Sequence, residues 1–378
     1  MTIPALTIGN LHISLPIIQG GMGVGVSLSG LAGAVGRAGG VGVIAAAGIG
    51  MDEPDFGSNY PEANNRAMRK QIRAVRSAGS GVLGVNIMVV ITNYETMVHT
   101  VVEEGVDIIF SGAGLPLSLP GMIGKDAPTK LVPIVSSDRA ARIICKKWLH
   151  RYDRLPDAVV VEGPKAGGHL GFKREEIFAP AFRLEALVPK VVQALQPFSD
   201  AAGLPPIPVI AAGGIYTGED IYKAMQLGAA GVQMGTRFVA THECDASINF
   251  KRAYIEAKES DITLVNSPVG MLGRAIRSSF VEEVEGGQRK PFSCPFHCIH
   301  TCQQKSSPYC IALALINAQR GKMQHGLTFA GQNAWRANEI ISVQELLDSL
   351  VREYQDYEQQ IAGQTLESAQ TATAVETE

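Results

Sequence analysis

The regular alternation of short apolar runs with longer stretches of helical periodicity constrains this chain more than any other feature. Short runs rich in β-branched residues, each followed by a helical segment, are typical of parallel sheets. Eight such runs are present, and eight is the number of strands in a (β/α)8 barrel. They cover residues 15–19, 42–45, 82–86, 107–110, 131–135, 158–162, 208–211 and 231–234.

The segments between these runs support the same fold. The segment after the fourth run is rich in Pro and Gly, whereas the others carry apolar residues spaced as on one face of a helix. The sequence therefore predicts an α/β fold, a (β/α)8 TIM barrel, whose site lies at the C-terminal ends of the strands. The predicted helices cover residues 28–37, 64–78, 94–104, 138–151, 184–194 and 218–227.

An open, doubly wound sheet is the competing fold. The first strand leads into a glycine-rich stretch, residues 20–25, that superficially resembles a dinucleotide-binding loop. The spacing Gly21-x-Gly23-x-Gly25 departs from the Gly-x-Gly-x-x-Gly pattern of such loops. The second strand also lacks the terminal acidic residue that would bind a ribose. Both departures favour the barrel.

The repeating pattern stops after the eighth strand. Near the C-terminus, Val343, Leu346 and Leu350 recur at the spacing of an amphipathic helix. The last residues are rich in Thr, Gln, Ala and Glu and have no large apolar face, a composition typical of disorder. We therefore predict a barrel at residues 1–240, an appended and mostly helical region at 241–362, and a disordered tail at 363–378.

Charge and hydropathy limit the partners. Lys and Arg number 33 against 36 Asp and Glu, and no basic run suggests contact with nucleic acid or a membrane surface. The N-terminus lacks the pattern of a signal peptide, and no stretch has the ~20 strongly apolar residues of a membrane helix. We expect a cytoplasmic protein with a small-molecule substrate and no nucleic-acid or membrane partner. The oligomeric state, a homo-oligomer included, is left open.

Four of the six cysteines crowd together near the C-terminus. Such clustering is typical of a ligand set, not of a disulfide framework. Four thiolates can hold an iron-sulfur cluster or a zinc ion, although this spacing matches neither a common ferredoxin run nor a zinc knuckle. Ordinary reduced cysteines on one face of a helix are the alternative. We predict a metal site, a 4Fe-4S cluster ahead of Zn, at this cysteine group: Cys294, Cys298, Cys302 and Cys310.

Glycines follow two neighbouring strands. Gly213 and Gly214 come directly after the seventh strand, and Gly235 and Thr236 directly after the eighth. Glycine lets backbone N–H groups approach an anion, and the threonine hydroxyl adds a donor. A helix starting near Thr217 would present its positive end to the same place. We predict a phosphate-binding site at these two strand ends, over the alternative that the glycines only form tight turns.

The sixth strand leads into a loop in which glycines flank a histidine, Gly167-Gly168-His169-Leu170-Gly171. The ordinary pKa of histidine, about 6.5, lets the side chain act as an acid or a base near neutral pH. A single loop histidine is more often a surface residue, but a strand-end position in a barrel favours catalysis. We predict His169 as the catalytic acid or base.

Amide side chains occur at other strand ends. Asn86 lies at the end of the third strand, Gln19 at the end of the first, and Gln233 within the eighth. An amide can donate and accept a hydrogen bond at once, as the edge of a planar heterocycle requires. Capping or turn formation is the alternative for Asn86. We predict that Asn86 lies near such a ring, with Gln19 and Gln233 as further candidates.

Several motifs at the strand ends occur together in this chain. They are Pro16-Ile17-Ile18-Gln19-Gly20-Gly21-Met22-Gly23, Gly84-Val85-Asn86, Ser111-Gly112-Ala113-Gly114, Glu162-Gly163, Ala166-Gly167-Gly168-His169, Ala211-Ala212-Gly213-Gly214-Ile215 and Gln233-Met234-Gly235-Thr236-Arg237-Phe238. With this set, the chain resembles the nitronate monooxygenase family, formerly called 2-nitropropane dioxygenases, and its relatives the flavin-containing enoyl-ACP reductases. The resemblance covers roughly residues 10–280.

The resemblance implies that FMN binds at the mouth of the barrel. His169 would then lie beside the reactive face of the flavin. The cofactor-binding residues that the resemblance implies are Gly213, Gly214, Gly235 and Thr236 for the phosphate, Gly21, Met22, Gly23 and Asn86 for the ring, and Gly168 beside the histidine.

Two reactions share such a site. The first is nitronate monooxygenase activity, the oxidative denitrification of alkyl nitronates, in which His169 orients the anion or deprotonates its neutral precursor. The alternative is an NAD(P)H-dependent flavin enoyl-ACP or quinone reductase, fed by an iron-sulfur cluster and a redox carrier. Outside catalysis, a flavin or iron-sulfur sensor and a silent barrel that docks a partner remain open.

Two features depart from the family pattern. Pro164-Lys165 stands where an acidic residue is common before the histidine, and the reversed charge would alter the pKa of His169 or the choice of substrate. The cysteine group is not part of the usual family core. A cluster there fits a reductase better than an oxygen-using enzyme.

Overall fold

A computed structural model of the chain describes residues 3–79, 81–124, 127–288, 294, 296–302 and 306–375. The strands in this part of the chain form three sheets. They are β1 (Leu6–Ile8), β2 (Leu11–Ile13), β3 (Ile17–Gln19), β4 (Gly42–Ala45), β5 (Leu83–Met88), β6 (Ile108–Gly112), β7 (Lys130–Val135), β8 (Val159–Glu162), β9 (Gly168–Leu170), β10 (Val209–Ala212), β11 (Gly231–Met234), β12 (Ile262–Asn266) and β13 (Leu272–Ile276).

The helices alternate with the strands over the first two thirds of the chain. They are α1 (Ser29–Arg37), α2 (Tyr60–Ser77), α3 (Tyr94–Glu103), α4 (Asp138–Tyr152), α5 (Leu184–Ala202), α6 (Gly218–Gln226), α7 (Thr236–Val239), α8 (Ile248–Glu256), α9 (Ser279–Glu285), α10 (Ile311–Gln319) and α11 (Val343–Val375). Within the described residues, no helix is both long and apolar enough to span a membrane.

Eight parallel strands form a barrel. Its ladder runs β3-β11-β10-β8-β7-β6-β5-β4, and the two edge strands meet where Ile18 pairs with Val41. There Gln19 N donates to Val41 O at 2.9 Å, and Val41 N donates to Ile17 O at 3.0 Å. All eight predicted strands are present within two residues of their predicted bounds. The barrel prediction is confirmed, and the open sheet is excluded.

Apolar side chains fill the inside of the barrel. Phe110 on β6 and Val160 on β8 are fully buried, as expected where alternate residues of each strand point inward. The N-terminal hairpin, β1 with β2, contributes Leu6 and Ile8 to the same packed group. Leu6 lies beside Gly231, the first residue of β11. The hairpin therefore closes the end of the barrel opposite the C-terminal ends of the strands.

Helix α11 packs on the outside of the barrel between α6 and α1. The Tyr354 ring lies 5.5 Å from the Tyr222 ring, centroid to centroid, and Glu353 Oε2 accepts a hydrogen bond from Gly218 N at 2.8 Å. This is the place of the outer helix that follows the eighth strand of a (β/α)8 barrel. Residues 241–342 therefore form an insertion between the eighth strand and its helix.

The predicted division of the chain cuts across this helix. Helix α11 passes residue 362 and continues to Val375, so it enters the stretch for which the sequence predicts a disordered tail. The division into barrel, appendage and tail stays a prediction.

A small antiparallel sheet joins the insertion to the barrel. Strand β13 pairs with β12 on one side and with β9 on the other, and β9 belongs to the loop after the sixth barrel strand. In this register Gly273 lies opposite His169. The insertion therefore fixes the backbone of the predicted catalytic residue.

Candidate functional site

A cavity of about 490 Å³ opens at the C-terminal ends of the barrel strands. The residues that the sequence predicts for cofactor binding and catalysis all line it, although they come from five different strand ends. They are Gly21, Met22, Gly23, Asn86, Gly168, His169, Gly213, Gly214, Gly235 and Thr236. The barrel thus brings into one cavity residues that lie more than 200 positions apart in the sequence.

The turn after β10 forms one end of the cavity. Gly213 and Gly214 have φ angles of 92° and 96°, in the left-handed region that favours glycine. A Cβ at Gly213 would lie 2.7 Å from Gly163 O, so no side chain fits there. The turn exposes backbone to the cavity at the position where the sequence predicts a phosphate.

The insertion completes this end of the cavity. Gly331 N donates to Thr236 Oγ1 at 3.0 Å, and Asn333 Nδ2 donates to Gly214 O at 2.6 Å. Because Thr236 Oγ accepts the bond from Gly331, its own hydrogen remains available for an anion. The sequence analysis missed Gly331 and Asn333. The stretch Gly331-Gln332-Asn333, a glycine followed by two amide side chains, has the same residue types that predicted other cavity residues at the strand ends.

The N-terminus of α6 does not contribute as expected. Thr217 and Asp220 form a capping box, in which Asp220 N donates to Thr217 Oγ1 at 3.2 Å and Thr217 N to Asp220 Oδ2 at 3.1 Å. Gly218 N donates to Glu353. These N–H groups are already bonded, so the helix terminus adds no free donor to the cavity end formed by the glycine turn and Thr236.

Positive charge surrounds the same end. The Lys165 side chain lines the cavity and passes next to Gly214, where a Cβ would lie 2.8 Å from Lys165 Cβ. The guanidinium carbons of Arg237 and Arg336 lie 4.7 and 4.6 Å from the centre of the Tyr216 ring, which also lines the cavity. An anion at this end is therefore favoured electrostatically.

Around Gly21 the backbone packs closely on a neighbouring strand end. Gly21 packs against the Asn86 side chain so tightly that a Cβ at Gly21 would overlap it. Gln19, in contrast, is unavailable to a cofactor, because both polar atoms of its side chain are already hydrogen-bonded. Its Nε2 donates to Gly20 O at 2.5 Å and its Oε1 accepts from Val43 N at 3.0 Å, so it joins β3 to β4 inside the barrel. Gln233 lines the cavity as predicted.

His169 faces the cavity from β9. Its Nε2 lies 2.7 Å from Ser267 Oγ, and its ring packs edge-on against Phe329 at 5.0 Å between centroids. Burial lowers the pKa of His169 to about 4, because the surroundings disfavour the charged ring. The imidazole is therefore neutral at physiological pH. Ser267 was missed, and nothing in its local sequence distinguishes it.

A buried arginine holds the loop before His169. Arg274 is only 2% exposed, and its Nη1 donates to Pro164 O and to Ala166 O, each at 2.6 Å. Burial lowers the pKa of Arg274 to about 10, so the group remains a cation at neutral pH. The sequence analysis also missed this residue, whose role depends on contacts about 110 positions away.

A second titratable group lies at the end of β8. Glu162 lines the cavity, and burial raises its pKa to about 7, because the interior disfavours the carboxylate. The sequence analysis quoted Glu162 within a motif but assigned it no role. The cavity thus contains a histidine that is hard to protonate and a carboxyl group that is hard to ionise.

The cysteine group lies beside the cavity. Of its members Cys298 lines the cavity. The described part of residues 294–302 contains no helix, and Ile299 instead bridges to Ile91, so the alternative of a single helical face is wrong. Among the described residues, no three His, Cys, Asp or Glu side chains are arranged as they stand to hold a metal ion. The predicted metal site stays a prediction.

Known proteins resemble this chain over most of its length. A family model described as nitronate monooxygenase matches residues 5–93 and 82–353. A probable nitronate monooxygenase of Staphylococcus aureus is 30% identical over 305 residues, which is 72% of this chain and 78% of that protein.

Two further similarities extend the picture. A (3aS,4S,5R,7aS)-5-hydroxy-7a-methyl-1-oxo-octahydro-1H-indene-4-carboxyl-CoA dehydrogenase of Mycobacterium tuberculosis is 29% identical over 279 residues, or 74% of this chain and 68% of that protein. Among solved structures, FabK from Thermotoga maritima is 29% identical, with a TM-score of 0.71 over 93% of this chain and 96% of that chain.

Proposed function

Because this chain belongs to the nitronate monooxygenase family and is an FMN-dependent oxidoreductase, we propose that it oxidises alkyl nitronates. In this proposal His169 holds the anionic substrate against the flavin. The flavin, when bound, takes electrons from the substrate and passes them to oxygen.

The cavity residues fit FMN at both ends. Backbone N–H groups of the turns at Gly213 and Gly235 and the Thr236 hydroxyl would hold the phosphate. Lys165 would supply a compensating charge. The ring would lie near Gly21, where the absence of a side chain lets the backbone pack directly on Asn86.

The rest of the proposed cofactor site follows the same division. Gly214 joins the phosphate end, Met22, Gly23 and Asn86 join the ring end, and Gly168 gives His169 freedom to approach the flavin.

The observation that carries the proposal is that His169 lines the same cavity as the glycine turn at Gly213 and Gly214. With a pKa of about 4, the imidazole is a weak base, poorly suited to removing a proton from a neutral nitroalkane. Its ring N–H can nevertheless donate a hydrogen bond to an anion. Ser267 holds Nε2 at 2.7 Å, which leaves Nδ1 for the substrate. A nitronate, which is already an anion, suits this group better than its neutral precursor.

The test is anaerobic mixing of the FMN-loaded protein with an alkyl nitronate, with the corresponding nitroalkane, and with NAD(P)H. We expect the nitronate to bleach the flavin absorbance and the neutral nitroalkane to react much more slowly. His169→Ala should keep its FMN but react with the nitronate about 100-fold more slowly. Failure of every nitronate to reduce the flavin would disprove the proposal.

A flavin-dependent reductase is the second candidate function. The observation that favours it is the apolar wall that the insertion adds to the cavity, which offers room for a larger substrate such as an enoyl thioester or a quinone. Reduction of the flavin by NAD(P)H, but not by a nitronate, would select this function. The residues of this wall are Met271, Ile311, Leu315, Leu327 and Phe329.

A further inference from the structure

The cysteine group has no role in the proposed oxidation, yet the fold brings its members together. Cys298 and Cys310 belong to one packed cluster of buried residues. Cys302 belongs to an adjoining cluster, and the two clusters share Ile299 and Leu315. The fold therefore brings Cys298, Cys302 and Cys310 close together.

The backbone also ties Cys294 to this group. His297, the residue before Cys298, donates its N–H to Cys294 Sγ at 3.3 Å. Despite this proximity, every cysteine in the described part of the chain is a free thiol. Each is therefore available as a ligand.

The backbone around the group is anchored to the barrel. Thr92 N donates to Cys298 O at 3.1 Å, and His300 N donates to Val90 O at 3.0 Å. The segment that carries Cys298 is therefore held against the loop that follows β5.

Backbone N–H groups already point at two of the sulfurs. His297 N donates to Cys294 Sγ at 3.3 Å, and Leu313 N donates to Cys310 Sγ at 3.5 Å. Hydrogen bonds of this kind tune the reduction potential of iron-sulfur clusters. Two of the four sulfurs therefore sit in an environment that suits a thiolate ligand.

The group adjoins the flavin cavity through an apolar layer. Cys298 and Tyr60 both line the cavity, and the rings of Phe56 and Phe296 lie 4.9 Å apart beside Tyr60. A metal centre here would contact the wall of the cofactor cavity on the side of the buried Cys298 and Cys310, and would lie nearer the surface at the half-buried Cys294 and Cys302. Zinc would have no redox role in such a place, whereas an iron-sulfur cluster would.

We propose that the cysteine group binds a 4Fe-4S cluster, which passes electrons from an external one-electron carrier to FMN. Each of the four thiolates of such a cluster binds a different iron, so the sulfurs need not converge on a single ion. The proposal rests on FMN binding in the adjoining cavity. It adds an electron entry route that nitronate oxidation does not require.

The electron balance is simple. The cluster takes one electron at a time from the carrier, which is oxidised by one electron in each encounter. Two such transfers, with two protons from water, convert FMN to its two-electron reduced form. The carrier is a small redox protein or another one-electron donor, and the thiolates keep their bonds to iron throughout.

The first test is the composition and spectrum of the full chain purified under anaerobic conditions. We expect about four iron and four sulfide ions per chain, and an electron paramagnetic resonance signal of a reduced cluster after dithionite treatment. Zinc without sulfide, or no metal after anaerobic reconstitution with iron and sulfide, would overturn the inference. Flavin content, measured on the same sample, tests FMN binding separately, so the two claims can fail independently.

Matched cysteine variants supply a second test. Cys302→Ala removes a member of the group, whereas Cys145→Ala removes a fully buried cysteine from α4 in the barrel. We expect Cys302→Ala to lose at least about tenfold in iron content and in the rate of flavin reduction by reduced methyl viologen. Cys145→Ala should retain both. Equal iron content and equal rates in the two variants would contradict the proposed ligand role.

Discussion

At the scale of single residues, burial sets the chemistry of the cavity. His169 has its pKa lowered to about 4 and Glu162 has its pKa raised to about 7, both because the surroundings disfavour charge. The two pKa values shift in opposite directions for the same reason. Burial disfavours the charged form, which is the protonated form of histidine but the deprotonated form of glutamate. At neutral pH the cavity therefore offers a neutral imidazole and a carboxyl group near its midpoint.

Ser267 is expected to position His169. Replacing it with alanine removes the hydrogen bond to Nε2, so we expect Ser267→Ala to lower kcat about tenfold while the protein keeps its FMN. Ser267→Thr, which retains the hydroxyl, should restore most of the activity. Nitrogen NMR of labelled histidine should show a changed balance of ring tautomers in the alanine variant alone. An unchanged kcat and unchanged ring signals would show that the contact has no role in positioning.

Glu162 should make stability depend on pH. Its folded pKa of about 7 lies above the ordinary value of 4.5, so between these values the native state binds more protons than the unfolded state. By linkage, the free energy of unfolding falls as pH rises through this window, by up to about 1.4 kcal/mol per pH unit. Glu162→Gln cannot ionise and should lack this contribution. Urea unfolding of both proteins from pH 5 to pH 7 measures the difference, and parallel curves would contradict it.

At the scale of elements, turns and strand pairing position the site. The turn after β10 depends on left-handed glycines, and the pairing of β9 with β13 sets the height of His169 at the cavity wall. Arg274, also on β13, binds two carbonyl oxygens of the preceding loop. One strand of the insertion thus supports both the backbone of His169 and the loop that leads to it.

Alanine substitution separates turn geometry from general backbone strain. Gly213 has a φ of 92° and Gly203, after α5, a φ of 63°, so alanine at either position should cost about 1–3 kcal/mol of stability. At Gly213 the new Cβ would also meet Gly163 O, whereas at Gly203 nothing lies within 4 Å. We expect Gly213→Ala to weaken FMN binding by at least about tenfold and Gly203→Ala to leave it unchanged. Titration of FMN fluorescence measures both affinities. Equal affinities would show that the turn at Gly213 does not bind the FMN phosphate.

At the scale of the whole molecule, the insertion and the last helix tie the site to the barrel. The insertion, residues 241–342, begins after β11 and ends at α11 on the outer surface of the barrel. It contributes Ser267, Gly331 and Asn333 to the cavity region. The buried face of α11 includes Leu346 and Leu350, both fully buried. The insertion is therefore held at both ends by the barrel it completes.

Leu350→Ala should test this closure. Removing a fully buried leucine leaves a cavity, so we expect the free energy of unfolding to fall by about 2–5 kcal/mol. Leu313, which is 46% exposed on α10, is the matched control, and Leu313→Ala should change it by less than about 0.5 kcal/mol. Chemical denaturation of the two variants gives the comparison. Similar stabilities would mean that α11 packs loosely and does not close the barrel.

Much of the fold and part of the site could be predicted from local pattern. The eight strands and six helices follow from apolar periodicity, which is a property of neighbouring residues. The helix after β8 was predicted too short, because α5 continues to Ala202 through Pro189 and Pro197, residues that commonly end a helix. The N-terminal hairpin was not predicted, because its role in closing the barrel depends on packing against distant strands.

The sequence by itself determined which residues reach the cavity, because the strand ends of a barrel must face one rim, and His169 and the glycines lie at strand ends. Only the tertiary structure decided what each residue does there. Gln19 is used in joining β3 to β4, the start of α6 is capped by its own residues, and Ser267 meets His169 across 98 positions. Position along a strand is local and can be read from periodicity, whereas hydrogen-bond partners and burial, which set the pKa values, arise from long-range packing.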